Sequence, residues 1–285
     1  MPIKIVTDST AYIPSSIREE LGISSVSLSV NFGTQTYREE DLDYASFYEK
    51  MAQSREIPTS SQPAPEEMYR TFERHVTAGD AVAGIFISSD MSGTYAGALT
   101  AGKKIKEKYP SAVVEVVDSR SNCMELGFAV LAAARAAGAG LSMEQVLEQA
   151  RRVIQRSRFL FVPQTLEYLR KGGRIGGAAA LVGSILQIKP ILTVVDGKTA
   201  VLEKVRSKSQ AVQNILNVVF EDIKHKGLGD IVVHHISCEP EGRSIAKLLE
   251  SKLDRAVPVY PIGPVIGLHV GPGTIGIAYY TAEKR

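Results

Sequence analysis

Ala81-Val82-Ala83-Gly84-Ile85-Phe86-Ile87, followed by Ser88-Ser89-Asp90-Met91-Ser92-Gly93-Thr94, is the stretch whose reading decides the fold. An apolar run without alternation reads as a strand buried on both faces, and the polar run after it as the exit loop. Residues 97–108 then read as a helix and residues 113–117 as a second apolar strand. Strand, loop, helix and strand in this order make a βαβ unit, which implies a parallel sheet.

The same rhythm extends outward. Residues 3–6 are an apolar strand ending in Thr7-Asp8-Ser9-Thr10, and Pro14 with Ser15-Ser16 opens a helix. Residues 26–30 read as a further strand, 44–52 as a helix with Phe47, Tyr48 and Met51 at helical spacing, and 65–75 as another helix. Pro58-Thr59-Ser60-Ser61-Gln62-Pro63 between them is a polar loop. Downstream, Asp118-Ser119-Arg120-Ser121 leads into an Ala-rich helix. Three strands thus end in Asp-Ser or Ser-Ser loops. Such residues ordinarily cap helices and make turns, but a parallel sheet gathers them at one edge, where α/β ligand sites lie.

The pattern changes near residue 158. Residues 159–162, 191–195, 200–205, 231–237, 257–262 and 274–280 are strand-like, and Asp196-Gly197 occupies a hairpin position. Helices fall at 166–170, 179–185, 209–224 and 242–251. The expected fold is α/β: an N-terminal parallel-sheet, Rossmann-like domain over residues 1–158, and a C-terminal α+β domain with a mostly antiparallel sheet over 159–285.

The composition supports a folded chain of this kind. Among 285 residues, 44% are apolar and 22% charged, which excludes global disorder. A net charge of +2 gives no general reason to expect nucleic acid as a partner. The lone Cys123 and Cys238 suggest neither a disulfide framework nor a metal site, and no signal peptide or membrane span is legible. A soluble protein of the reducing cytoplasm is the expectation, without metal or cofactor.

Familiar catalytic motifs fail on inspection. Gly271-Pro272-Gly273-Thr274-Ile275-Gly276 matches a dinucleotide fingerprint as a string, yet too little chain follows for a βαβ unit. Gly97 to Lys103 imitates a phosphate loop, but Lys104 stands where the magnesium-binding hydroxyl belongs and the run lies inside a helix. His234 and His235 neighbour each other on a strand, so they face opposite ways and cannot chelate one ion. No nucleophile elbow is present.

The segments left over occur in a distinctive order: Thr7-Asp8-Ser9, Thr59-Ser60-Ser61-Gln62-Pro63, Ser88 to Tyr95, Asp118-Ser119, Leu166 to Ile175, Lys189-Pro190-Ile191-Leu192 and Gly263 to Gly273. In this order, from first strand to last, the chain resembles the DegV family, which includes the fatty-acid-binding subunits of bacterial fatty acid kinase. The resemblance implies two domains holding one long-chain fatty acid, such as palmitate, stearate or oleate, between them, with hydroxyls gripping the carboxylate. Ser60 and Ser92 match the family's carboxylate-binding hydroxyls, and Ser61, Thr94, His269 and Gly267 flank them in the ligand-binding set. Ser60 departs from the commoner threonine; it keeps the donor and loses a methyl group. His269, in a Gly/Pro-rich turn, either lies near the carboxyl group or is an ordinary core residue. The family further implies a non-enzymatic carrier that presents the acid to a separate kinase subunit, which makes acyl phosphate for phospholipid synthesis.

Charge adds one clue of its own. Residues 151–208 contain twelve Lys/Arg against three Asp/Glu, a local +9 that leaves −7 for the remainder. This is either a solvated basic face or a docking surface for an acidic partner or, transiently, an anionic membrane, with Arg170, Arg174 and Arg206 as candidates. The other functional reading takes Ser60, Ser92 and His269 as nucleophile and base of a stand-alone serine-dependent acyl hydrolase or transferase.

Overall fold

The computed structural model describes residues 1–54, 56–181 and 188–284. The chain divides into two units, Met1–Asp41 with Ser60–Gln155, and Leu42–Thr59 with Arg156–Arg285. This differs from a single cut after residue 158: the junction lies three residues earlier, and residues 42–59 leave the N-terminal half to join the second unit.

Along the chain run β1 (Ile3–Asp8), α1 (Ser15–Leu21), β2 (Ser24–Val26), β3 (Ser29–Phe32), β4 (Gln35–Arg38), α2 (Tyr44–Gln53), β5 (Thr59–Ser61) and α3 (Pro65–Thr77). Then come β6 (Ala81–Phe86), α4 (Thr94–Lys108), β7 (Val114–Asp118), α5 (Cys123–Gly138) and α6 (Met143–Arg156). The first unit's main sheet is parallel throughout, in the order β2-β1-β6-β7. The stretch that announced the fold is β6, and every residue of it is buried. Val6, Val82 and Phe86 pack with Met68 and Phe72 of α3 and with Ala98 and Ile105 of α4. Burying a side chain such as Phe72 removes apolar surface worth about 1.5–3 kcal/mol.

Two sequence expectations fail here for identifiable reasons. Residues 26–30 do not form one strand. The Ser27 N–H donates to the Glu67 carboxylate at 3.2 Å and the Leu28 N–H to Ser9 Oγ at 3.1 Å, so side chains take the backbone donors and the strand splits into β2 and β3. The loop at 58–63 contains β5, which joins the β3/β4 hairpin in a small sheet ordered β4-β3-β5. Helix α6 has no counterpart in the sequence reading, although Val146, Leu147, Ala150 and Val153 form a buried stripe at helical spacing.

The second unit continues with β8 (Ser157–Val162), α7 (Glu167–Lys171), β9 (Lys189–Val195), β10 (Lys198–Val205), α8 (Lys208–Lys226), β11 (Leu228–His235), α9 (Glu239–Leu253), β12 (Val259–Pro261), α10 (Pro264–Val270) and β13 (Ile275–Thr281). Its sheet runs β10-β9-β8-β13-β11-β12 and is antiparallel except for the β11/β12 pair. Asp196 and Gly197 both have positive φ, 49° and 79°, and Val195 pairs with Lys198, which makes the expected two-residue hairpin. Of the helix expected at 179–185, the described part is a 3-10 turn, Gly176–Leu181, and residues 182–185 lie outside the described residues.

The Gly/Pro-rich turn assigned to His269 is instead helix α10. Pro264 occupies the first turn, where its missing N–H costs nothing, and Gly271 beyond the end has φ 91°. The punctuation that reads as a turn therefore brackets a helix. All seven residues of α10 are buried, and α2 packs on it. The Tyr48 hydroxyl donates to the carbonyls of Ile262, at 2.8 Å, and Gly263, at 3.0 Å, which ties residues 42–59 to this unit.

Candidate functional site

The loops leaving β1, β6 and β7 are fastened to one another. Asp8, buried at the end of β1, accepts from the Ile87 N–H at 2.8 Å and from the Thr10 N–H and hydroxyl at 3.0 and 2.5 Å. The Ser88 N–H donates to Ser121 O at 2.9 Å and the Ser89 N–H to Asp118 at 3.2 Å. Arg120 spans Asp90 at 2.6 Å and Asp118 at 3.5 Å. Tyr12, Arg120 and Cys123, all at this edge, have φ near +50° without being glycine. Backbone strain of this kind persists only where the surroundings over-determine it.

The hydroxyl-bearing motifs meet within this unit. The Met91 and Ser92 N–H groups donate to Ser88 O at 2.9 and 3.1 Å, forming the turn that presents Ser92. Ser92 Oγ accepts from the Thr94 N–H at 3.3 Å and lies 2.9 Å from Thr94 Oγ1. With Thr94 donating, the Ser92 lone pairs are used and its own proton is left for an external acceptor. On the other side, Ser60 and Ser61 are half-buried on β5, and Asn31 Nδ2 reaches Ser61 Oγ at 3.5 Å. The link between the two is Gln62, whose Oε1 stands 2.0 Å from where a Cβ on Gly93 would be. Gln62 therefore lies on the bare backbone of the Ser-Gly-Thr turn and joins it to the Ser60-Ser61 strand.

Gly93 has φ −74°, which suits any residue, so Gly93→Ala is expected to leave the fold within about 1 kcal/mol of wild type while pushing Gln62 aside. On the expectation, implied by the motif resemblance, that the chain holds a fatty acid, ligand retention should fall about fivefold or more, read by lipid extraction beside a thermal melt. A variant that melts and retains ligand like wild type would show that Gln62 does not matter.

The other residues singled out by sequence lie in the second unit. His269 and Gly267 both sit on α10. His269 Nδ1 stands 2.2 Å from where a Cβ on Gly172 would be, so the bare backbone of Gly172 closes on the imidazole. Burial, with the Arg174 charge adding to it, lowers the His269 pKa to about 4. The ring is thus neutral at pH 7. Gly267 is where α2 comes closest, since a Cβ there would stand 1.8 Å from Tyr48 Oη. Arg170, Arg174 and Arg206 are exposed, and Arg174 donates to Gly172 O at 2.8 Å.

Sequence reading missed Glu39. It is fully buried and accepts from the hydroxyls of Ser9 and, at 2.9 Å, Tyr12. Within Arg38-Glu39-Glu40-Asp41 it reads as one more solvated charge, and only the fold shows which of the acids is inside. Among the described residues, no group of three or more His, Cys, Asp or Glu is arranged to hold a metal. No helix among them is long and apolar enough to cross a membrane.

Titration gives a further expectation. Burial raises the Asp8 pKa from 3.8 to about 6, only partly countered by the hydrogen bonds from Thr10 and Ile87. The folded carboxyl keeps its proton where the unfolded one has lost it, so this group's stabilising contribution falls by about 3 kcal/mol as pH rises from about 4 to 6. His269, and likewise His234 with its pKa near 4, act in the opposite sense: stability is lost as pH falls from 6.5 toward 4. Asp8→Asn removes the opposing contribution. Urea midpoints between pH 4 and 6.5 should climb more steeply in the variant, and equal slopes would mean that Asp8 ionises as in a peptide.

The model of a family described as "Uncharacterised protein, DegV family" matches residues 2–282. The chain belongs to the DegV family. A DegV domain-containing protein of Clostridium acetobutylicum is 50% identical over 284 residues, covering 100% of this chain and 99% of its own. Among solved structures, DegV of Bacillus subtilis, described as a fatty acid binding protein, superposes with TM-score 0.89 at 35% identity over 99% of both chains. A stearic acid-binding protein of Eubacterium ventriosum superposes with TM-score 0.91 at 28% identity over 98% of both. At these TM-scores both share the α/β fold of this chain, with its parallel four-stranded sheet and its mixed, mainly antiparallel one.

Proposed function

We propose that this DegV protein is a cytoplasmic carrier that binds one long-chain fatty acid and presents its carboxylate to a separate fatty acid kinase, which forms acyl phosphate for phospholipid synthesis. The observation that carries the reading is the joining of the two hydroxyl motifs by Gln62 on Gly93, in a chain whose structural neighbours bind fatty acids. Ser60 and Ser92 donate to the carboxylate, Thr94 directs the Ser92 proton outward, and Ser61 supports the β5 side. Hydrogen bonds to a charged acceptor are worth about 1.5–3 kcal/mol each, so they orient the head group. The tail supplies the bulk of the affinity, since burying about 15 methylenes gives on the order of 12 kcal/mol before the cost of ordering the chain.

Competition between stearate and methyl stearate tests head-group recognition. The ester keeps the tail and loses the anion, so it should bind at least about tenfold more weakly. Equal competition would contradict a carboxylate site.

In the same reading, Arg170, Arg174 and Arg206 dock the acidic kinase partner or touch anionic membrane near the point of delivery. Replacing all three by alanine should lower acyl-phosphate formation with added kinase about tenfold while leaving stearate binding intact. Unchanged kinase coupling and unchanged liposome binding would remove this surface from the account.

A further inference from the structure

The turn that presents Ser92 is tied to the loop after β7 along its first half. The Ser88 N–H donates to Ser121 O at 2.9 Å, and the Ser89 N–H to Asp118 Oδ1 at 3.2 Å. Further along, Arg120 Nη1 donates to Ser89 Oγ at 3.2 Å and lies 2.6 Å from Asp90 Oδ2. Arg120 thus reaches the middle of the turn, where the Asp90 N–H donates inward to Ser88 Oγ at 3.2 Å. Held at both its amide and its carboxylate, Asp90 leads directly into the Met91 and Ser92 N–H groups that close the turn on Ser88 O.

The backbone of Arg120 is unusual in its own right. Its φ of 54° is left-handed, a conformation that glycine or asparagine adopts at less cost than arginine. Asp118 Oδ1 accepts from the Arg120 N–H at 2.9 Å as well as from Ser89, and Asp118 Oδ2 lies 3.5 Å from the guanidinium, so the start of the side chain is fixed. That side chain is 40% exposed, so core packing does not account for an arginine at a strained position. Strain of this kind points to a task for the side chain. An exposed ion pair adds little to global stability, but within one short turn it selects one arrangement over its neighbours.

We propose that Arg120 is a positioning residue for Ser92: by holding Ser89 and Asp90, it sets the turn from which the Ser92 hydroxyl is offered to the ligand. Its effect on fatty-acid binding rests on the carrier reading, whereas its effect on the turn does not.

Arg120→Gly removes the guanidinium and relieves the backbone, so the melting temperature of the full chain should stay within about 2 °C of wild type. Hydrogen exchange of the Met91 and Ser92 amides should nevertheless quicken about fivefold, with the Ile85 amide of β6 unchanged, and stearate should bind about threefold more weakly. Arg120→Lys keeps a charge on the same backbone and should fall between the two. Adding Arg120→Gly to Asp90→Asn should weaken stearate little further, because the partner it acts through is already altered. Unchanged exchange at Met91 and Ser92, unchanged stearate affinity in a chain that binds it, or fully additive losses with Asp90→Asn would each overturn the proposal. A wild-type chain that binds no stearate would instead contradict the carrier reading, and the exchange rates would still decide whether Arg120 sets the turn.

Discussion

Replacing Ser60 and Ser92 together by alanine is expected to reduce fatty-acid affinity by at least about a hundredfold. Two hydrogen bonds to a carboxylate contribute about 1.5–3 kcal/mol each, and their joint loss leaves a buried negative charge without donors. Each single variant should fall between the double variant and wild type. Both side chains are half-buried, at a strand edge and in a turn, so the melting temperature should change by only a few degrees at most. Fatty-acid content after purification and stearate titration read the effect directly. A double variant that retains its ligand as wild type does would place the carboxylate elsewhere.

Gly267→Val is expected to have the largest effect on stability. The new Cβ would stand 1.8 Å from Tyr48 Oη and 2.6 Å from Cζ, so the ring must leave its place between α2 and α10. Its hydroxyl then loses the carbonyls of Ile262 and Gly263, and a buried aromatic side chain loses its packing. Overpacking together with those losses should cost on the order of 3–5 kcal/mol, lowering Tm by about 10 °C. Tyr48→Phe keeps the ring and should cost only about 1–2 kcal/mol. In the cycle with Tyr48→Ala, Gly267→Val should become much less costly, because the group it strikes is gone. Additive losses in that cycle would mean that Tyr48 does not cause the effect.

Periodicity made much of this fold legible before any coordinates. The unbroken apolar run at 81–87 identifies a central parallel strand, and Asp196-Gly197 identifies a hairpin by its backbone requirements. The failures have a common origin in long-range chemistry. Ser9 and Glu67 take backbone donors that local propensity assigns to a strand at 26–30. Tyr48 bonds to carbonyls more than two hundred residues away and carries residues 42–59 out of the N-terminal unit. Motif order singles out the hydroxyls of Ser60 and Ser92 as candidate carboxylate donors. The placement of Gln62 and Glu39 was not legible, because an exposed glutamine over a glycine and a glutamate inside an acidic run carry no signal until the chain is folded.

Native mass spectrometry of the purified full chain, followed by lipid extraction, tests the central claim most directly. The carrier reading predicts one long-chain fatty acid per chain, lost in the Ser60→Ala/Ser92→Ala variant, and no turnover of acyl esters or acyl-CoA by the chain alone. An empty protein that hydrolyses or transfers acyl groups, and loses that activity with the same two serines, would contradict it.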